Sequence, residues 1–112
     1  MINVIASICL KTGTLSDYLE ILKANLSSVR KEKGCVEYVP MVDIDAKLPA
    51  QILDDNVVTI LEKWESLEAL HEHLGSPHML DYREKVRNMV ESVAVKVLQK
   101  VNSITVRGGE YS

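Results

Sequence analysis

The sequence predicts one α+β domain in which strands and helical segments follow the order β-α-β-β-α-β. Its 112 residues are about the size of a single domain. Four segments are rich in β-branched residues, and their apolar positions alternate as they do in strands. Two further regions carry apolar residues three and four positions apart, which is the spacing of amphipathic helices. Together these observations predict a ferredoxin-like fold with four antiparallel strands in one sheet.

The first strand is predicted over Ile2 to Leu10, and a helix follows it. Alternation places Ile5 and Cys9 on one face of the strand, and on the other face Ile2, Val4, Ala6, Ile8 and Leu10. Thr14 and Asp17 then approximate a capping box. The helix that follows is marked by apolar residues at helical spacing, namely Leu15, Tyr18, Leu19, Leu22, Leu26 and Val29. It is expected to end before Gly34, which can adopt a left-handed conformation.

The second strand is predicted over Cys35 to Asp43 and contains Pro40. Because proline cannot donate to a ladder of hydrogen bonds, this strand is expected at a sheet edge or a bulge. A long connection, Ile44 to Asp55, carries three large apolar residues, namely Leu48, Ile52 and Leu53. Such a loop predicts a lid over a pocket or, equally, a cover for the edge of the core or a contact with a partner subunit. The third strand is predicted over Asn56 to Trp64.

The second helical region is predicted in two segments. Ser66 caps a short helix whose apolar residues are Leu67, Leu70 and Leu74. Pro77 begins another segment, which is predicted to run through Met79, Tyr82, Val86, Met89 and Val90. A fourth strand reaching about Val101 is marked by Val93, Val95 and Val97. We therefore predict a domain over residues 1–101 and a loose C-terminal tail over residues 102–112.

The strands are apolar on both faces, although the helices of a ferredoxin-like fold cover only one. Ile5 and Cys9 oppose the row that contains Val4, while Ala94 and Leu98 oppose the valines of the fourth strand. An uncovered apolar face of this size is typical of an interface. We therefore predict a homodimer packed through its sheets, with a pocket between each sheet and its own helices.

Composition excludes several classes of function. Hydrophobic residues make up 46% of the chain and charged residues 26%, as in ordinary soluble domains, and the net charge is -3 without a basic face. We therefore expect no nucleic-acid partner and no membrane insertion. The two cysteines lie in apolar runs and are too few for a disulfide framework, which favours a cytoplasmic location. No dinucleotide fingerprint, phosphate loop or C-x-x-C motif is present, so no cofactor is expected.

Three histidines lie close together in the second helical region, at His71, His73 and His78. Residues two apart on a helix point roughly 200° from each other, so His71 and His73 cannot share an ion, and we predict no metal site. One of these two should face solvent and the other the interior. The inward histidine is either a core residue bonded to a backbone carbonyl or a base that takes a proton near neutral pH.

Further candidates for a pocket lie on the second and third strands and on the helix after Pro77. Trp64 ends the third strand next to the histidine helix, where ligand cavities open. Glu62 is a polar residue in the same strand and is either bonded to a neighbour or the carboxylate partner of a histidine. An adaptable apolar pocket could be lined by Tyr38, Met41, Met79 and Tyr82, although an ordinary core also needs such residues.

Two dense segments, GCVEYVPMVD (residues 34–43) and ILEKWESLEALHEHLGSPHM (residues 60–79), resemble the antibiotic-biosynthesis monooxygenase (ABM) family. Within that family they are most similar to bacterial quinol monooxygenases of the YgiN type. The resemblance extends from the first strand to about Val101. It implies a dimeric α+β barrel of ferredoxin-like domains and a cofactor-independent oxygenase that oxidises a quinol or related reduced aromatic compound with dioxygen.

The resemblance also implies which residues form the site. His73, Pro77, His78 and Met79 match the helix motif, Trp64 matches the turn motif, and Tyr38, Pro40 and Met41 match the strand motif. His73 or His78 is expected to act as the base, and substrate binding is expected at Tyr38, Met41, Glu62, Trp64, Met79 and Tyr82. The trio used by haem-degrading members is replaced by Ala6, His73 and Arg83, which disfavours haem degradation. The alternative is a dimeric module that binds quinones or small aromatic compounds without turnover, because kinship does not define chemistry.

Overall fold

Four strands and three helices make up the fold of residues 1–101, the part of the chain that this computed structural model describes. The elements are β1 (Ile2–Leu10), α1 (Leu15–Arg30), β2 (Cys35–Val42), β3 (Val57–Trp64), α2 (Leu67–Leu74), α3 (Pro77–Val86) and β4 (Val90–Leu98). This is the predicted ferredoxin-like order, with the second helical region divided in two as expected. The predicted tail, residues 102–112, lies outside the described residues, so the boundary at residue 101 stays a prediction. None of the described helices is long and apolar enough to cross a bilayer.

The four strands form one antiparallel sheet in the order β2-β3-β1-β4. β2 is an edge strand, so the predicted place of Pro40 is confirmed. Register places Ala6 of β1 between Ile60 of β3 and Val95 of β4. The row predicted from alternation in β1 is buried and faces the helices, whereas Ile5 and Cys9 are only half-buried on the other side.

The core lies between the sheet and the three helices. Its largest fully buried apolar side chains are Trp64, Tyr18, Leu10 and Leu22. The hydroxyl groups of Tyr18 on α1 and Tyr82 on α3 share a short hydrogen bond, which joins the two helices inside the core. Buried phenol groups need such a partner because an unpaired hydroxyl in an apolar interior is costly.

The helices do not cover the whole sheet face. The valines of β4 pair in register with the buried row of β1, yet Val93, Val95 and Val97 remain 57%, 57% and 48% exposed. The cover of the core therefore ends at β1, and the β4 side is open. On the opposite face of the sheet, Ile5 is half-buried and Leu98 is 42% exposed. The homodimer predicted from this second face stays a prediction.

The structure corrects two predictions about the ends of helices. Thr14 makes no capping hydrogen bond, because its hydroxyl donates to the Lys11 carbonyl oxygen at 2.7 Å. The predicted capping box is therefore wrong. α3 ends at Val86, whereas helical spacing predicted that it would continue through Met89 and Val90. Met89 packs on the core from the turn after α3, and Val90 packs on it from β4. The two residues therefore continue the helical spacing of apolar positions although their backbone is not helical.

The fourth strand also differs from prediction, and the structure bears on one of the two roles predicted for the long loop. β4 spans Val90–Leu98 and so starts and ends about three residues earlier than expected. It begins at Val90 because that residue pairs with Leu10, past a register shift in β1. The loop 44–55 exposes Ile52 by 87% and Leu48 by 64%, and it lies beside Met41 and Thr59. None of its residues lines the cavity described below, so a lid over that cavity is not formed in the described chain.

Candidate active site

A cavity of about 320 Å³ lies between the sheet and the helices α2 and α3. Its floor is the helix-facing side of the sheet, and its mouth is beside the exposed valines of β4. The lining is mainly apolar and comprises Val4, Ala6, Ile8, Tyr38, Ile60, Glu62, Leu70, His73, Leu74, Met79, Tyr82, Arg83, Val93, Val95 and Val97. An apolar cavity with a few convergent polar groups is the usual form of a small-molecule site. The pocket predicted between the sheet and its own helices is therefore present.

His73 is the inward histidine of α2. Its side chain is fully buried, whereas His71 is exposed, so one of the two faces the interior and the other faces solvent, as helical phase predicted. The imidazole packs against the Trp64 indole, with ring centroids 4.6 Å apart and planes tilted by 37°, and it meets the Tyr38 ring edge-on at 5.5 Å. Two aromatic rings thus hold the imidazole in one orientation at the cavity wall.

Glu32, just after α1, is the hydrogen-bond partner of His73. Its Oε2 accepts from Nδ1 of His73 at 2.8 Å, and this carboxylate is only 12% exposed. Because an ionised carboxylate can only accept, Nδ1 carries the proton. The neutral ring then has its lone pair on Nε2, the nitrogen a base would use.

Glu62 is a buried carboxyl group in the cavity wall. It lies on β3, and its Oε1 accepts a hydrogen bond from the indole Nε1 of Trp64 at 2.9 Å. Burial raises the pKa of Glu62 above its usual value, although the bond from Trp64 and the nearby His73 oppose the change. A carboxyl group with a raised pKa beside a histidine is typical of sites that move protons.

Two tyrosines add polar groups to the lining, which also includes Arg83. Burial is the main cause that raises the pKa of Tyr38 and of Tyr82, so both phenols stay protonated around neutral pH. The Tyr82 hydroxyl is paired with Tyr18. Neither phenol can therefore serve as a base, and both present aromatic surface to a ligand.

The predicted site residues fall into two groups. Tyr38, Glu62, His73, Met79 and Tyr82 line the cavity. Three others, Met41, Trp64 and His78, do not. Met41 pairs with Thr59 on the opposite face of the sheet and is 45% exposed, since alternation places it one position away from the cavity row. Trp64 lies behind His73, where its indole ring packs against the imidazole.

His78 lies on the far side of Glu32 from the cavity. Its Nε2 is 2.7 Å from Oε2 of Glu32, and its side chain is 27% exposed. It lines an outer groove between α1 and α3 together with Asp81 and Lys85. His78 thus does not line the cavity, but it shares the Glu32 carboxylate with His73, which does.

Glu32 was not among the site residues predicted from the sequence. It lies in the short connection between α1 and β2, outside every periodic pattern, and in sequence it is 41 residues from His73. Glu62 had been considered as the carboxylate partner of a histidine, but its hydrogen bond goes to Trp64. The one available signal was a carboxylate two residues before Gly34, immediately ahead of the segment that resembles the ABM family. Within residues 1–101, no group of three or more potential ligands is arranged to hold a metal ion.

Comparison with known proteins identifies the family. The model of the family described as antibiotic biosynthesis monooxygenase matches residues 1–85. The chain belongs to this family. It is 34% identical over 105 residues to "Probable quinol monooxygenase YgiN" of Escherichia coli, covering 88% of this chain and 97% of that protein. The predicted family and the monooxygenase class are therefore confirmed.

Solved structures agree with the fold. The structure of Rv0793 from Mycobacterium tuberculosis is 31% identical in sequence and has a TM-score of 0.74. The alignment covers 88% of this chain and 93% of that one. The structure of PA3566 from Pseudomonas aeruginosa has a TM-score of 0.75 at 22% identity, covering 88% and 92% of the two chains. At that identity the second match supports the fold alone.

Proposed function

We propose that this protein is a cofactor-independent monooxygenase that oxidises a quinol or a related reduced aromatic compound with dioxygen. A quinol with a free ring C–H would react with one O2 to give a hydroxyquinone and one water. The substrate then supplies all four electrons that dioxygen accepts, so no other reductant is consumed. The similarity to YgiN, whose name includes quinol monooxygenase, supports this choice of substrate class.

One observation carries the proposal: the apolar cavity has a single oriented imidazole in its wall. Nδ1 of His73 is bound to Glu32 at 2.8 Å, which leaves Nε2 to take a proton from a bound phenol. Loss of that proton makes the ring electron-rich. The anion then passes one electron to dioxygen, and the radical pair combines to form the new C–O bond.

The other lining residues support the same chemistry by binding and by excluding water. Tyr38, Tyr82 and Met79 offer aromatic and polarisable surface to a flat substrate. Glu62 is buried next to the imidazole and can hold or return a proton as the second oxygen atom leaves as water. An apolar wall also favours a neutral gas such as dioxygen and limits leakage of reactive intermediates.

We also propose that the working form is a homodimer packed through the sheet face that carries Ile5 and Cys9. Support comes from the helices, which all pack on the other face, and from apolar side chains left on this one. A cytoplasmic location is part of the same proposal, because Cys9 and Cys35 are free thiols in the structure.

Isotope labelling tests the proposal. Purified protein free of metal and flavin would be given a chemically reduced naphthoquinol under 18O2, and the product would be analysed by mass spectrometry. We expect one labelled oxygen atom per product molecule and one in water. A protein that binds the quinone without forming any labelled product would instead be the non-catalytic binding module.

A further inference from the structure

One oxygen atom of Glu32 lies between two imidazoles. Oε2 is 2.8 Å from Nδ1 of His73 and 2.7 Å from Nε2 of His78. The three residues come from three parts of the fold, namely the connection after α1, the end of α2 and the start of α3. With a side chain only 12% exposed, Glu32 is largely sheltered from competing water.

Ser76 determines the direction of the hydrogen bond from His78. The Ser76 hydroxyl donates its only proton to the His73 carbonyl oxygen at 2.8 Å. Its oxygen, 3.2 Å from Nε2 of His78, can therefore only accept there. Nε2 of His78 must then carry a proton, which it shares between Ser76 and Glu32. Both imidazoles are then donors to the Glu32 carboxylate.

The two imidazoles reach opposite sides of the helical layer. His73 lines the apolar cavity, whereas His78 lines the outer groove between α1 and α3, which has a volume of about 400 Å³. The Glu32 carboxylate thus directly connects His78, in the outer groove, with His73, in the wall of the cavity.

We propose that Glu32 is the positioning residue of His73 and that His78, acting from the outer groove, controls how strongly Glu32 supports it. Glu32 keeps the proton of His73 on Nδ1 and stabilises the imidazolium formed when Nε2 takes a proton. A positive charge on His78 offsets the charge of Glu32 and weakens that support. The chemistry rests on the proposed oxygenase function, but the coupling between the three residues does not.

Other charges act on the two imidazoles. His73 faces Glu62 of β3 and the protonated phenol of Tyr38 of β2, and it lines the cavity together with Arg83 of α3. His78 shares the outer groove with Glu20, Asp81 and Lys85. Glu62 also favours the imidazolium at His73, so removal of Glu32 should weaken the base without abolishing it.

The kinetic test compares the pH profiles of kcat/KM for oxygen uptake with a reduced naphthoquinol. Glu32→Gln should lower kcat about 10- to 100-fold with little change in KM. It should also move the acid limb to lower pH, because His73 then holds its proton less strongly. His78→Leu should move the acid limb to higher pH, because Glu32 is no longer shared. Glu72→Gln and His71→Gln, on the exposed side of α2, are matched controls that should leave the profile unchanged.

The second test needs no turnover. The chain has only three histidines, so 15N NMR of the histidine-labelled full chain resolves each ring, and exposed His71 serves as the internal reference. We expect His73 as the Nδ1–H tautomer, with a titration midpoint that moves down in Glu32→Gln and up in His78→Leu. If the three proteins show this pattern of midpoints but the wild type consumes no oxygen, the proposed function fails and the role of Glu32 stands.

The proposal would be overturned if the His73 midpoint moved in the same direction in Glu32→Gln and His78→Leu, or if it moved in neither variant. If Glu32→Gln does not fold, His78→Leu still decides the matter, since the His78 side chain is partly exposed. A midpoint of His73 that stays in place or moves down in that variant would show that His78 has no control over Glu32.

Discussion

At the scale of single residues, helical phase predicted that only one of His71 and His73 would face the interior. It could not say which one, because the two histidines flank the apolar stripe of α2 on opposite sides, and the resemblance to the ABM family indicated His73. Glu32 could not be found in this way. It belongs to no periodic element, and its role depends on two contacts across 41 and 46 residues of sequence.

Glu62 leads to a prediction about stability and pH. Burial raises its pKa, so the folded state binds this proton more tightly than the unfolded state. The contribution of this proton to the free energy of unfolding is therefore fully present below the pKa of the unfolded state, about 4.5. It is lost as pH rises through the higher pKa of the folded state. Glu62→Gln cannot ionise, so its free energy of unfolding relative to wild type should increase as pH rises above that point.

Urea unfolding of both proteins from pH 4 to pH 8, at one fixed protein concentration, measures this difference. Glu68→Gln, an exposed position of α2, is the matched control and should show no such trend. If the difference in free energy of unfolding between Glu62→Gln and wild type does not depend on pH, burial does not raise the pKa of Glu62.

At the scale of elements, alternation in β1 correctly predicted which side chains share a face of the sheet, because period two leaves only two choices. The end of α3 was predicted wrongly for a related reason. Met89 and Val90 pack on the same core as the helix, and burial alone does not distinguish a helix from a turn that leads into a strand. Long-range pairing with Leu10 decided where β4 begins.

The connection between α1 and β2 depends on Gly34. This residue has φ of +85°, and a Cβ atom there would lie 2.6 Å from Cβ of Ala69 on α2. Gly34→Ala should therefore lower the free energy of unfolding by about 2 to 4 kcal/mol, from backbone strain plus overlap. It should also move Glu32 away from His73.

Gly13→Ala is the matched control. Its φ is +86°, but nothing lies within 4 Å of the added Cβ. Only the strain of about 1 to 2 kcal/mol should remain. Equal losses in the two variants, measured by urea unfolding, would show that the contact between Gly34 and α2 is not tight.

At the scale of the whole molecule, the fold places one face of the sheet under helices and leaves apolar side chains on the other. Ile5→Asp should dissociate the proposed dimer, because a charge buried in an apolar interface is costly. Sedimentation velocity at micromolar concentration measures the result. Leu67→Asp, which changes an exposed residue of α2, is the control and should leave the dimer intact. A wild-type protein that sediments as a 12.5 kDa monomer would contradict the dimer.

The central claim is that the buried imidazole of His73 starts the reaction of a quinol with dioxygen. The most direct measurement is oxygen uptake by protein free of metal and flavin, supplied with a reduced naphthoquinol, for wild type, His73→Gln and the control His71→Gln. Wild type and His71→Gln should exceed the autoxidation of the quinol alone, and His73→Gln should lose roughly 100-fold or more of that excess. Uptake by His73→Gln equal to wild type, or by wild type equal to the quinol alone, would contradict the claim.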